Sequence, residues 1–304
     1  MTQRRFDDRV VVITGSGRGL GRAYAELLAS KGAKLVINDN GSAMVGDGSD
    51  AGPAQEVVDA IRSAGGEAVA CTDSVATEAG GKAIIEAALD SFGRIDVLIH
   101  NAGNVRYGLL DEISHDDFKA VIDVHLMGAF HVARPAFPRM KAAGYGRVVL
   151  TGSIGGLYST NAVVNYAMSK SGMIGLNNII AIEGAEFGVK SNMILPGAVT
   201  RMADGLDISQ YPPMGPDLVA PVVGYLAHED CAVSGEMYVS MAGRVARAFI
   251  SETQGAYRPE WSIDDVADNL DAIRGMDNIW TLHPAQNGYV EHLMRSFAMA
   301  RGEE

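Results

Sequence analysis

"RVVVITGSGRGLG", residues 9–21, decides how the rest of the chain is read. Val10–Ile13 is apolar and β-branched without polar alternation, the pattern of a strand buried on both faces. Gly15, Gly19 and Gly21 follow where a helical pattern opens. Glycines there let the chain turn sharply and let a diphosphate approach the backbone, on the unpaired N–H groups of a helix N-terminus. A glycine string alone is a weak signal, and a purely structural turn is the plainer reading. Its place between strand and helix gives it weight.

Outward from this unit, short β-branched runs alternate with longer alanine-rich stretches. Strands are expected at 9–14, 34–38, 67–71, 95–99, 147–151, 190–195 and 236–239, with helices near 19–31, 53–64, 78–92, 114–142, 163–187 and 217–228. The alternation predicts an α/β fold, a single Rossmann-type doubly wound parallel sheet of about seven strands with helices on both faces. Residues 1–245 read as one dinucleotide-binding and catalytic domain. Residues 246–304 read as a C-terminal extension, packed on that domain or on a neighbouring subunit. Residues 40–53, "NGSAMVGDGSDAGP", are rich in Gly, Ser and Asp and read as a mobile loop after the second strand.

The chain has 304 residues, 47% hydrophobic and 20% charged, enough for a sizeable core. Its net charge of −12, with no block of basic residues, argues against nucleic acid as a partner. Cys71 and Cys231 have no paired spacing, so neither a disulfide framework nor a zinc site is expected, and no other metal site is suggested. The opening apolar run is too short for a signal peptide, and no stretch reaches the roughly 18 apolar residues of a spanning helix. A cytoplasmic protein without a membrane partner is the expectation.

The second strand ends in "LVINDN", placing Asp39 24 residues beyond Gly15, where a carboxylate accepts hydrogen bonds from adenosine ribose hydroxyls. A 2′-phosphate would meet like charge there, which favours NAD over NADP. Arg18 argues the other way, because a guanidinium pairs with that phosphate. A simple strand-end cap is the bland alternative for Asp39.

Tyr166 and Lys170 in "NYAMSK" lie four apart on a helical pattern and so share a face. Tyrosine ordinarily titrates near 10; a nearby ammonium, or the positive ring of an oxidised nicotinamide, lowers that value and makes the phenol a usable base. Ser153 follows the fifth expected strand at the carboxyl edge, where ligands bind in open α/β sheets. Alone, a Tyr–Lys pair at this spacing reads as a solvated helix face. The glycine loop, Asp39 and Ser153 in the same chain shift the reading to a site.

At this point the sequence resembles the short-chain dehydrogenase/reductase family over about residues 8–245. "TGSGRGLG" matches its TGxxxGxG loop, 101–103 its NAG motif, Ser153 and "YAMSK" its Ser and YxxxK, and "PGAVT" its PG motif. The resemblance implies that Tyr166 is the general acid/base, that Lys170 binds the nicotinamide ribose and that Ser153 orients the reacting oxygen. It implies cofactor contacts from Gly15, Arg18, Gly19, Leu20 and Gly21, from Asp39, Asp73 and Ser74, and from Asn101, Ala102 and Gly103. Pro196, Gly197, Val199 and Thr200 complete that set, with Tyr166 and Lys170. In "VIDVHLMGAF", His125 stands where most relatives carry an asparagine of the proton relay; a histidine both donates and accepts, so a relay survives on paper. His100 replaces the usual first Asn of "NNAG", where packing is the expected role.

"VHL", "NDNG", "GRIDVLIHNAG" and "LVAPVVGYLAHEDC" resemble the (3R)-hydroxyacyl-CoA dehydrogenase domains of peroxisomal multifunctional enzymes, some of which also act on hydroxysteroids. "PGAVTRMAD" departs from their PN motif, and "RGEE" is not a peroxisomal address, so a free-standing bacterial-type relative is expected. The resemblance implies an NAD-dependent oxidoreductase interconverting a secondary alcohol and a ketone, with a small hydroxy or keto substrate. A non-catalytic nicotinamide-nucleotide-binding protein on the same fold is the alternative. A homodimer or homotetramer is implied, built on the two long helices. Residues 198–217 read either as a substrate lid, with Met202, Leu206, Ile208 and Tyr211 as an apolar wall, or as a bland loop with scattered apolar residues; an acyl-CoA would also need basic residues at the cleft mouth, where the sequence does not place Arg201, Arg244 or Arg247.

Overall fold

The computed structural model describes residues 4–200 and 210–303. The chain divides into two compact units, Met1–Arg247 and Ala248–Glu304. In the first, β1 (Val10–Thr14), β2 (Lys34–Asn38), β3 (Glu67–Cys71), β4 (Val97–His100), β5 (Gly146–Thr151), β6 (Val189–Gly197) and β7 (Met237–Met241) form a parallel sheet. The spatial order is 3-2-1-4-5-6-7, with β8 (Arg244–Ala248) at the outer edge. This eighth strand is the addition to the seven expected. It is reached through Ala242 and Gly243, both at positive φ, the signature of a tight hairpin. With Arg244 and Arg247 in five residues and none of the five fully buried, it lacks a continuous apolar run.

Helices α1 (Gly19–Ser30), α2 (Gly52–Ser63) and α7 (Ala220–Ala227) bring Tyr24, Leu28, Val57, Ile61, Val223 and Leu226 onto one sheet face. The strands meet them with Val11, Ile13, Leu35, Ile37, Val97 and Ile99, all fully buried. The periodicity of 3.6 in the helices and the continuous apolar runs in the strands have this burial as their cause. The helices α3 (Glu78–Phe92), α5 (Gly128–Ala143) and α6 (Val164–Gly184) belong to the other layer, α5 and α6 against β5 and β6.

Two expectations are corrected. The helix expected over 114–142 is three segments: α4 (His115–Ile122), a π-turn (Asp123–Met127) and α5. The π-turn inserts a residue into the helical ladder and rotates His125 inward, where it is buried. The stretch 40–53 is a strap with its own hydrogen bonds rather than a free loop. Ala43 N–H donates to the Asp47 carbonyl at 2.8 Å, Asp50 N–H to Asn40 at 2.8 Å, and Val105 N–H to Met44 at 3.1 Å. Its glycines serve turn geometry: Gly41 and Gly46 have φ of 67° and 92°, and a Cβ on Gly41 would lie 1.8 Å from the Asp50 carbonyl oxygen.

In the second unit, β9 (Glu252–Thr253) pairs antiparallel with β10 (Ile279–Trp280). The acidic run forms two short helices, α8 (Ile263–Asp268) and α9 (Leu270–Ile273), the first opened by a capping box of Ser262 and Asp265. The helix α10 (Gly288–Arg301) follows, and His292 packs edge-on to the buried Trp280.

At the amino end of the sheet, the buried Arg147 of β5 donates to four carbonyls: Gly146 at 2.8 Å, Gly188 at 3.0 Å, His228 at 3.1 Å and Glu229 at 3.0 Å. It ties β5 to the chain before β6 and to the residues after α7. Arg147→Met keeps the volume and orphans these acceptors. We expect a loss of roughly 3 kcal/mol, read as a lower urea midpoint at unchanged m-value.

Candidate active site

The strand order reverses direction between β1 and β4, and a cleft opens at their carboxyl ends, as the topology requires. Its cavity is about 580 Å³. Gly15 forms part of the floor at φ 63°, and a Cβ there would sit 2.6 Å from Ala102 Cα. The Thr14 hydroxyl accepts from Asn101 N–H at 3.0 Å and Ala102 N–H at 3.1 Å, and Asn101 Nδ2 donates to the Gly15 carbonyl at 3.0 Å. The glycine turn and the 101–103 segment therefore hold each other at backbone distance. Gly19, at φ 53°, lies open to Thr200, while Arg18 and Leu20 also line the cavity. Gly21 lies beneath: a Cβ would meet the Gly15 carbonyl at 2.2 Å, so its position serves helix-on-loop packing rather than the cavity wall. A bare-backbone cradle at a helix N-terminus fits a dinucleotide diphosphate.

Asp39 Oδ2 accepts from Gly17 N–H at 2.8 Å and Oδ1 from Gly41 N–H at 2.8 Å. The carboxylate caps the strand end and also lines the cavity, so the two readings of this residue coexist. A carboxylate has about four acceptor sites, leaving capacity for ribose hydroxyls. Asp73 and Ser74 continue this wall; Asn101, Ala102 and Gly103 form the middle, and Pro196, Gly197, Val199 and Thr200 the far side.

Lys170 is buried on α6, and its Nζ donates to the Thr151 carbonyl at 2.6 Å. Burial lowers its pKa to about 7. Tyr166, one turn earlier, has that nitrogen 5.5 Å from its ring centroid. Burial raises the phenol's pKa, and a hydrogen bond with Ser153 works against the rise. Burial thus opposes the lowering expected from an ammonium or a nicotinamide ring: desolvation disfavours the charged forms of both Tyr166 and Lys170. Ser153 stands beside Tyr166, and its Oγ accepts from Gly155 N–H at 3.0 Å.

His125 projects from the π-turn with its ring edge-on to Tyr166, 5.3 Å between centroids. Its Nε2 lies 2.8 Å from the Asn104 carbonyl oxygen and 3.1 Å from Asn104 N, while its buried Nδ1 has no partner among the described residues. A Cβ on Gly103 would fall 2.5 Å from His125 Cε1, which gives that glycine a steric reason. Burial and the nearby Lys170 hold the His125 pKa well below its ordinary value. His100 has more than a packing role. Its Nδ1 is 3.0 Å from Thr14 Oγ1 and its Nε2 3.1 Å from the His125 carbonyl. Because the Thr14 oxygen already accepts two N–H groups, its proton goes to His100 Nδ1, and His100 Nε2–H donates to the π-turn.

Of the expected lid wall, Tyr211 lines the cavity with Met214; Met202, Leu206, Ile208 and Arg201 lie outside the described residues. Arg244 and Arg247 are on β8, the latter 3.4 Å from Glu236. Sequence reasoning missed Thr14, Asn104, Arg106 and Asn165. Only Thr14 had a local signal, as the last residue of the strand before the turn.

His100 titrates near 3 in the folded protein against an ordinary 6.5, because burial and Lys170 disfavour its cation. The native state thus binds fewer protons than the unfolded chain in that window, and stability falls as pH drops from about 6.5 towards 3. His125 acts in the same direction. His100→Asn removes one such group, and the acid limb of stability against pH should flatten by about 1.4 kcal/mol per pH unit, measured by urea unfolding between pH 6 and 4.

Residues 9–208 match the family described as short chain dehydrogenase. The peroxisomal multifunctional enzyme type 2 of Drosophila melanogaster is 46% identical over 280 residues, covering 91% of this chain and 45% of the relative. The chain thus spans about half the length of that relative. A short-chain type dehydrogenase/reductase of Mycobacterium tuberculosis is 44% identical over 262 residues, 86% of this chain and 92% of its own. Among solved structures, a short chain dehydrogenase from Mycobacterium avium superposes with a TM-score of 0.77 at 34% identity, covering 90% of this chain and 99% of the other. Likeness of this extent, over the residues that build the cleft and carry Tyr166 and Lys170, makes the chain a member of the short-chain dehydrogenase/reductase family.

Proposed function

We propose that the protein is an NAD-dependent oxidoreductase that interconverts a secondary alcohol and a ketone, with Tyr166 as the general acid/base. The observation that carries this reading is the half-buried Tyr166 on the cavity wall, flanked by Ser153 and the buried Lys170 at the carboxyl edge of a cleft whose floor is bare glycine backbone. When bound, the nicotinamide takes a hydride from the carbinol carbon or returns it. Gly15, Arg18, Gly19, Leu20 and the Asn101–Gly103 segment would hold the dinucleotide, with Asp39, Asp73 and Ser74 at the adenosine end. Pro196, Gly197, Val199 and Thr200 would hold the nicotinamide end.

Ser153 orients the reacting oxygen. Tyr166 Oη takes the hydroxyl proton in oxidation and gives it back in reduction. Lys170 holds the cofactor ribose and, as its ammonium, favours the phenolate. The neutral His125 extends the polar path behind Tyr166 towards Asn104. A phenol kept protonated by burial is ready to donate, so reduction should dominate at neutral pH and oxidation should gain as pH rises.

Asp39 supports NAD as the dinucleotide. The carboxylate at the ribose end repels a 2′-phosphate, and NADPH should bind weaker than NADH by roughly a hundredfold, as a like-charge contact of several kcal/mol implies. For substrate we favour a 3-hydroxyacyl thioester, then a hydroxysteroid, on the resemblance of the "VHL" and "NDNG" segments to multifunctional-enzyme domains. Self-association through the outer faces of α5 and α6 belongs to the same reading, with Phe130, Ile179 and Ile182 exposed there. The two free cysteines fit a cytoplasmic setting.

Loss of NADH absorbance with acetoacetyl-CoA and with steroid ketones tests the substrate class. Tyr166→Phe should lower turnover by roughly 10²–10⁴-fold while NADH binding persists. Near-parental turnover in that variant would remove Tyr166 from the role.

A further inference from the structure

The strap over residues 40–51 leaves β2 beside Asp39 and returns to the start of α2 along the cleft, where Ser42, Ala43 and Gly46 line the cavity. Beyond the strap's own turns and the Val105–Met44 bond, its hydrogen-bonded attachment among the described residues is Arg106. Arg106 Nε donates to the Val45 carbonyl at 2.9 Å, one terminal nitrogen to Asp47 at 2.8 Å, and the other to Asp117 at 2.7 Å. Asp117 also accepts from the Ser114 hydroxyl at 2.7 Å, in the first turn of α4. The main chain of the same arginine continues the connection. Its carbonyl accepts from the buried Asn165 Nδ2 at 3.0 Å, and Asn165 Oδ1 accepts from Tyr166 N–H at 2.8 Å.

One planar guanidinium therefore reaches three acceptors on two segments, and its backbone holds the start of the helix that carries Tyr166. The charge of Arg106 is met by Asp47 and Asp117. Its fork suits this geometry as an ammonium does not.

We propose that Arg106 is a positioning residue that latches the strap along the dinucleotide cleft, in register with the catalytic helix, and so sets how long the dinucleotide stays bound. The inference rests on the dinucleotide reading above. Arg106 itself lines the cavity, and its hold on the dinucleotide runs through the strap; residence time follows because the strap side of the cavity must part before an adenosine end seated beside Asp39 can leave.

The test is stopped-flow dissociation of NADH from the full chain, with kcat and the KM for NADH measured alongside. Arg106→Gln should speed dissociation and raise that KM by roughly tenfold or more, as loss of a charged hydrogen-bond cluster implies, with kcat at saturation within about twofold. Asp47→Asn, an exposed change remote from the fold's core, should move both quantities the same way by less. Arg106→Lys should fall between Gln and the parent. Hydrogen exchange should show Ala43 and Gly46 amides less protected in Arg106→Gln with NADH bound while amides of β1 and β4 keep their protection; a general loss of stability would lower both. If the parent does not bind NADH, the dinucleotide reading fails. Where the parent binds but both variants release NADH at its rate, the latch alone is overturned; a fall in kcat with dissociation unchanged overturns it as well.

Discussion

The Thr14 hydroxyl is the contact on which the rest of the site depends. It closes β1 against β4 by accepting two backbone N–H groups and giving its proton to His100, and Asn101 returns a bond to the glycine turn. Without that closure the turn would have no reason to expose its backbone to the cleft. The steric demands at Gly15, Gly21 and Gly103 follow from the same approach of two backbones. His100 carries it one layer further, to the carbonyl of the π-turn, and so sets where His125 stands relative to Tyr166.

Desolvation governs the chemistry that this frame can support. Lys170, Tyr166, His100 and His125 are all shifted towards their neutral forms, with burial as the leading cause in each. Burial thus favours the protonated phenol of Tyr166 and the neutral amine of Lys170 side by side. The neutral histidines also make acid the natural denaturant of this cleft.

Much of the fold was legible because its determinants are local. Apolar strand runs, glycine turns and helix periodicity read off directly, and α3 coincides with the expected 78–92. The strap was misread because Gly, Ser and Asp mark both tight turns and mobility, and only the partners at Arg106 and Val105 separate the two. The π-turn escaped because one inserted residue leaves the helical composition unchanged while rotating every side chain after it. For β8, a hairpin turn of Ala and Gly with exposed arginines on the strand offered too little apolar signal.

The sequence by itself determined the alternation of strand and helix, the glycine cradle, the acidic end of the second strand and the shared face of Tyr166 and Lys170. Each of these is a spacing of a few residues along one chain segment, set by backbone geometry. Tertiary structure alone decided the sign of the tyrosine's shift, the partnering of His100 and the fastening of the strap by Arg106. Those depend on burial and on atoms brought together from segments tens of residues apart, which no local spacing encodes.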